Sequence, residues 1–127
     1  PLRRQRQMCI RDRYVPGINW TQGRAISVLA EAYRITGDER YRQSAELGAH
    51  YVEALMYFDP QWPAAAGSIR ERTPQCEMGG VLDGAQAASA LILLHKATGD
   101  ARHLRRGEAF CEYLARNWRS RCTKLRE

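Results

Sequence analysis

The sequence Thr36-Gly37-Asp38-Glu39-Arg40 returns 62 residues later as Thr98-Gly99-Asp100-Ala101-Arg102. The same offset aligns residues 25–57 with residues 87–119 without a gap, and nine of these 33 positions are identical. Glycine readily takes the left-handed backbone that ends a helix, and aspartate is among the best residues to cap the next one. Each Thr-Gly-Asp therefore predicts a turn between two helices, and the repeat predicts two copies of one helical hairpin.

The two helices of each hairpin differ in their pattern of apolar residues. The first is apolar nearly all round, as in Leu91-Ile92-Leu93-Leu94, whereas the second carries a single stripe that includes Ala45, Val52 and Cys111. An apolar surface all round predicts a helix buried on every side, and a stripe predicts a helix that faces water. The fold class predicted is all-α, with two hairpins in which inner and outer helices alternate. The helices are expected near residues 20–35, 39–57, 82–97 and 101–118.

This alternation, together with the Thr-Gly-Asp turns, resembles the six-hairpin glycosidase-like (α/α)6 toroids. That superfamily includes unsaturated glucuronyl hydrolases, other glycoside hydrolases, polysaccharide lyases and the N-acylglucosamine and cellobiose 2-epimerases. The resemblance covers residues 14–118, which correspond to two hairpins of six. It implies that the chain is a fragment of a longer carbohydrate-active enzyme, incomplete on its own.

Two short segments extend the resemblance to particular residues. Trp20-Thr21-Gln22-Gly23-Arg24 is similar to a W-x-Q-[AG]-R segment of the 2-epimerases, which implies that Trp20, Gln22 and Arg24 line a sugar pocket. Ile69-Arg70-Glu71, followed later by Asp83, is similar to a loop and helix start of related glycosidase-like proteins. The implied substrate is a sugar or uronide, with no cofactor.

Charge and composition exclude several other classes of function. The net charge of +6 lies in residues 1–13 and 116–127, each at +4, around a body of −2, which argues against a nucleic-acid-binding face. No apolar run approaches the roughly 18 residues of a membrane span. The four cysteines form no CxxC pair, so neither a zinc site nor a disulfide framework is expected. No phosphate loop or metal cluster is recognisable, so no metal is predicted.

The two ends of the chain are assigned no function. Met8-Cys9-Ile10-Arg11-Asp12-Arg13 resembles the translation of a sequencing-library adapter, so residues 1–13 are interpreted as a non-native or disordered basic tail. Residues 119–127 have no apolar period and are interpreted as a second basic tail. We expect the native N-terminus, with any signal peptide, to lie outside this sequence, which leaves localisation open with the cytoplasm favoured.

Glycosidic cleavage needs two carboxyl groups on either side of the scissile bond. The candidates for this role are Asp59, Glu71, Glu77 and Asp83. It is assigned to Asp83, at the start of an inner helix, and to Glu71, in the long connection 58–80. Each also has a purely structural interpretation. Asp83 suits the first turn of a helix as a cap, and Glu71 lies between two arginines with which it can form surface ion pairs.

The candidates for binding substrate are aromatic and basic. Trp20 and Trp62 are expected either to stack on a sugar ring or to pack in the core. Arg24 and Arg70 suit a bidentate pair with a uronate carboxylate, or else neutralise nearby acids. The histidines His50, His95 and His103 are interpreted as surface or packing residues, which weakens the epimerase alternative because that reaction needs a general base.

A non-catalytic helical-repeat scaffold remains the alternative from another class, although the long connection 58–80 favours a pocket wall. Because consecutive inner helices run parallel, Trp20, Asp83 and Arg70 are expected at one end and both Thr-Gly-Asp turns at the other. Apolar residues on the lateral faces of the hairpins are expected to remain exposed and to favour self-association.

Overall fold

The computed structural model describes the secondary structure of residues 18–70 and 81–124 and the side chains of residues 19–70 and 81–117. Four α-helices follow one another, joined as two hairpins, and the described residues contain no β-strand beyond one isolated bridge. The all-α prediction is confirmed. The helices are α1 (Ile18–Thr36), α2 (Glu39–Ala54), α3 (Val81–Thr98) and α4 (Ala101–Lys124).

Two helix ends differ from the prediction. α2 ends at Ala54 because the next residues leave the helix to pair with another segment: Arg70 N–H donates to the carbonyl of Leu55, and Tyr57 N–H to that of Ser68. α4 continues to Lys124, six residues beyond the predicted end. Residues 119–124 contain neither glycine nor proline, so nothing in the backbone stops the helix there. The predicted tail at residues 1–13 lies outside the described residues.

Both Thr-Gly-Asp turns use the same set of hydrogen bonds. Gly37 and Gly99 take φ of 70° and 77°, and their N–H groups donate to carbonyls four residues earlier. The threonine hydroxyls donate to the carbonyls of Ala32 and Leu94 and accept from the aspartate N–H groups. The aspartates then cap α2 and α4, accepting from backbone N–H groups at 2.9 and 2.8 Å. The predicted caps are confirmed.

The inner helices α1 and α3 pack directly on each other, and each also packs on its own outer helix. The closest approach is at Gly23, where a Cβ atom would lie 2.8 Å from the carbonyl carbon and oxygen of Gln86. Position 23 lies near the start of α1 and position 86 near the start of α3, so the two helices run parallel as expected. The outer helices α2 and α4 meet instead through long side chains.

Burial departs from the predicted pattern in two ways. The inner helices are not buried on every side, because Val28 and Leu93 are exposed. Among the described residues each inner helix packs on one other inner helix and on its own outer helix, and side chains on its other sides are exposed. On α4, Cys111 is exposed, while His103 and Phe110 are buried in its place. No helix in the described ranges combines the length and the hydropathy needed to span a bilayer.

The first part of the long connection is an ordered loop rather than an irregular link. Met56 and Ile69 form an antiparallel bridge, a 3₁₀ turn spans Pro63–Ala65, and Ile69 is buried in the core. Gly67 packs so closely on α4 that a Cβ would collide with the carbonyl group of Ala109. The loop ends beside the first turn of α1, where the Arg70 carbonyl accepts a hydrogen bond from the Asn19 amide. Residues 71–80 lie outside the described part.

We expect Gly23→Ala to destabilise the protein by about 1–3 kcal/mol, as overpacking does. The added methyl group meets backbone, which forces α1 and α3 apart despite the better helix propensity of alanine. Gly48→Ala is the matched comparison, because there the added methyl group meets the Ile26 side chain instead of backbone. Urea unfolding should show the larger loss for Gly23→Ala, since a side chain shifts more easily than helix backbone. Equal effects of the two substitutions would contradict this account of the helix contact.

The two caps should also shape the response to acid. The guanidinium of Arg40, followed by its backbone N–H, lowers the pKa of Asp38, and the backbone N–H of Arg102 lowers the pKa of Asp100. A carboxylate with a lowered pKa stabilises the fold above its unfolded value near 3.8 and loses that contribution as pH falls through the folded value. A double Asp→Asn variant, which still caps, should therefore show a flatter stability curve below pH 5. If the stability of the variant below pH 5 were the same as that of the native chain, other titrating groups would determine the loss of stability in acid.

Candidate functional site

The parallel helices α1 and α3 bring their N-terminal turns to one end of the molecule. Because Gly23 contacts the backbone of Gln86 and Ala87, the turn of α1 that holds Trp20 is level with the turn of α3 that holds Asp83. Asp83 is four residues before Ala87 and hence on the side of α3 that faces α1, where it is half-buried. Trp20 and Asp83 are therefore level with each other on adjacent helices, although they are 63 residues apart in sequence.

Trp20 and Arg24 form one unit on α1. The Arg24 guanidinium lies over the indole ring, 4.9 Å from its centroid. At about 100° per residue, both side chains lie on the side of α1 away from the helix's contact with α2. Trp20 is half-buried and Arg24 is exposed, and Arg24 has no carboxylate within 4 Å among the described residues. The pair presents an aromatic face and a positive charge beside Asp83.

Two further predicted residues lie close to this end but face other partners. The backbone carbonyl of Arg70 accepts a 2.7 Å hydrogen bond from the Asn19 amide in the first turn of α1, while its guanidinium stacks on Tyr57. Gln22 faces the outer helix: its Oε1 atom lies 3.4 Å from the position a Cβ would take at Gly48. The prediction that Gln22 lines the same groove as Trp20 therefore does not match its orientation.

Trp62 lies on a loop beside an outer helix, and Glu71 is not among the described residues. Trp62 is exposed at the start of the 3₁₀ turn, on a loop held to α4 by Arg116 and Asn117, which donate to the carbonyls of Ala66 and Ala64. This places Trp62 with an outer helix and not with Trp20. Glu71 lies outside the described residues, so Asp83 is the one predicted catalytic carboxylate whose position is described.

A second polar cluster joins the outer helices, and sequence reasoning missed it. His103, in the first turn of α4, has 0% exposure and lies between two carboxylates of α2. Its Nε2 atom is 2.9 Å from Glu46 Oε2, and its Nδ1 atom is 3.3 Å from Glu53 Oε1. Which ring nitrogen donates to which carboxylate depends on the tautomer of the imidazole.

Arg102 extends this cluster and argues against a metal centre there. Atoms of Glu46, Asp100 and His103 suitable as metal ligands lie within 4.8 Å of one another. However, Nη2 of Arg102 is 3.3 Å from both Glu46 and Asp100 and already supplies a positive charge between them. A metal ion would have to displace this guanidinium. The cluster is best described as a salt-bridge network that holds the two hairpins together.

The sequence held one signal for this network. Glu46 and Arg102 belong to the repeat identities Glu46/Glu108 and Arg40/Arg102, and both pairs are charged positions on outer helices. Identical charges at equivalent positions indicate a repeated ion pair between neighbouring hairpins. His103 gave no such signal, because its repeat counterpart is Tyr41 and its burial depends on the spacing between α2 and α4.

We expect His103→Ala to lower the free energy of unfolding by about 3 kcal/mol, since it takes from two partly buried carboxylates their contact with the imidazole and leaves them Arg102 alone. A double-mutant cycle with Glu46→Ala tests the reason. In the His103→Ala background, removing the Glu46 carboxylate should cost less than in the native chain, because its contact with the imidazole is already gone. Denaturant unfolding of the four proteins gives the coupling. Additive effects would mean that the contact contributes nothing.

Comparison with known proteins gives no relative to set beside this geometry. No protein-family model, no curated protein and no solved structure matches the chain. What the chain does is therefore inferred from the positions and chemistry of its own residues.

Proposed function

We propose that the groove at the N-terminal ends of α1 and α3 binds a carbohydrate, and that the chain forms part of a glycoside hydrolase-like enzyme of the helical-toroid type. The observation that supports this most directly is the stacked pair Trp20–Arg24, which lies level with the half-buried carboxyl of Asp83. An aromatic face, a cation and a carboxylate are the three groups needed to stack on, orient and protonate an acidic sugar.

In this proposal each residue has a separate role. Trp20 stacks on the apolar face of a sugar ring, and Arg24 pairs with the carboxylate of a uronide. Asp83 acts as general acid or base, with Glu71 as the second carboxyl group. The N-terminal ends of two parallel helices carry partial positive charge, which adds to the preference for an anionic sugar.

The alternatives differ in what they require of the same groove. A 2-epimerase-like isomerase needs a general base close to the sugar, and the buried His103 is committed to Glu46 and Glu53 between the outer helices. A non-catalytic helical scaffold needs only a surface for a peptide. The sugar acid is favoured because the groove pairs an aromatic ring with charges of both signs.

Binding of glucuronate and of glucose to the 127-residue chain tests the proposal. We expect glucuronate to shift the indole N–H resonance of Trp20 in NMR spectra, and Trp20→Ala to abolish binding. Arg24→Ala should weaken the binding of glucuronate by about ten-fold and leave the affinity for glucose unchanged, since only the uronide has a carboxylate that can pair with the guanidinium. Trp62→Ala is the matched control and should bind as the native chain does.

Two outcomes would contradict this proposal. If neither sugar perturbs Trp20 at millimolar concentration, the carbohydrate groove is wrong and the scaffold alternative is favoured. If Trp62→Ala abolishes binding and Trp20→Ala does not, the binding surface lies on the loop beside α4 instead.

A further inference from the structure

One lateral surface of the first hairpin is apolar and open. On α1, Val28 and Ile35 are 68% and 69% exposed, and on α2, Leu47 and Tyr51 are 74% and 39% exposed. Val28 and Ile35 are seven residues apart and Leu47 and Tyr51 are four apart, so each pair lies on one side of its helix. We call this surface, which also includes Ala25 and Arg40, the first free face. A cluster of large apolar side chains of this kind marks a site of association.

The internal repeat shows what such a face is shaped to contact. In the second hairpin, Ala87 has its backbone against Gly23 of the first, and Ala87, Ala90 and Leu94, which share one side of α3, are each fully buried. Their counterparts in the repeat, 62 positions earlier, are Ala25, Val28 and Ala32 on the first free face. Tyr113, whose side chain packs near Gly67 of the preceding loop, has Tyr51 as its counterpart. The first free face therefore repeats the surface that the second hairpin already buries.

The opposite side of the second hairpin repeats the other half of that interface. On the first hairpin this half is made by Gly23, Glu46 and the buried Ala49. Their counterparts are Ala85, which is half-buried, together with Glu108 and Cys111, which are exposed. We call this the second free face. The first free face thus corresponds to the surface that the second hairpin contributes to the contact between the hairpins. The second free face corresponds to the surface that the first hairpin contributes.

Their charges are also complementary. Within the chain, Arg102 bonds at 3.3 Å both to its own cap residue Asp100 and to Glu46 of the other hairpin. Arg40, the counterpart of Arg102, bonds to its own cap residue Asp38 and has no second carboxylate among the described residues. Glu108, the counterpart of Glu46, is exposed on the second free face. Arg40 and Glu108 are thus the repeat counterparts of Arg102 and Glu46, which bond between the two hairpins.

We propose that a second copy of this chain docks head-to-tail, its first free face on the second free face of its neighbour, with Arg40 of one copy paired to Glu108 of the other. Such a contact is heterologous, so it can continue from copy to copy and is not limited to a dimer. It is weaker than the contact within the chain, because Ala85 carries a methyl group where Gly23 has none. Association therefore depends on concentration.

Charge reversal tests the proposed pair. Sedimentation velocity over a concentration series should show association of the native chain. Arg40→Glu and Glu108→Arg should each weaken it by about three- to ten-fold, since each places like charges across the contact. An equimolar mixture of the two variants should associate as the native chain does. Where a copy of one variant meets a copy of the other, position 40 of the first and position 108 of the second again carry opposite charges.

Two controls keep the test decisive. Arg105→Glu makes the same change of charge on the outward side of α4 and should leave association unchanged, and circular dichroism should show native helix content in all variants. Val28→Asp, on the first free face, should abolish association without unfolding the chain. The proposal is overturned if the native chain remains monomeric at every concentration. It is equally overturned if mixing the two charge-reversed variants does not restore association.

Discussion

The close contact between α1 and α3 is the constraint on which the rest of the structure depends. At Gly23 there is no room for even a methyl group, because the backbone of Gln86 occupies that space. Small residues at such a crossing let two helices approach until their backbones are in contact, which fixes both their separation and their register. With the register fixed, the first turn of α1 is level with the first turn of α3. Trp20 and Asp83 are level with each other on adjacent helices for this reason.

The outer helices obey a different rule. α2 and α4 are bridged by long charged side chains around the buried His103. Close inner helices and separated outer helices are what bends a layer of hairpins toward its inner side. The ionic bridge tolerates the wider spacing, because glutamate and arginine reach across a gap that alanine and valine cannot close. The inner helices are close and meet through small residues, whereas the outer helices are farther apart and meet through long charged residues.

The sequence predicted those features that depend on local chemistry. The turns at Gly37 and Gly99 and the caps at Asp38 and Asp100 require only a few neighbouring residues, and these were predicted correctly. Features that depend on the neighbourhood of a whole helix were not. Val28 is as apolar as any core residue and yet exposed, because exposure is decided by whether another helix covers it. His103 is polar and yet fully buried, because two glutamates of another helix surround it.

The candidate site shows the same division. That Trp20, Asp83 and the backbone of Arg70 lie at one end followed from the direction of successive helices, which the turns determine. The orientation of Gln22 did not, because it depends on the space left by Gly48 on the facing helix. A five-residue similarity placed three side chains on one segment. Helical geometry then separated them, with Trp20 and Arg24 on one side and Gln22 on another.

Gln22 also shows how the two hairpins have diverged without losing their packing. In the first hairpin, position 22 holds a glutamine and the facing position 48 a glycine, with Gln22 Oε1 3.4 Å from where a Cβ would be. In the second, the counterparts are Gly84 and Phe110, and the Phe110 ring lies only 2.6 Å from the position of a Gly84 Cβ. The larger side chain of the pair belongs to the inner helix in the first hairpin and to the outer helix in the second, and the two helices are in contact in both hairpins. Since each contact needs one large and one small partner, substituting either one alone would leave a void or a clash, and only paired changes preserve the hairpin.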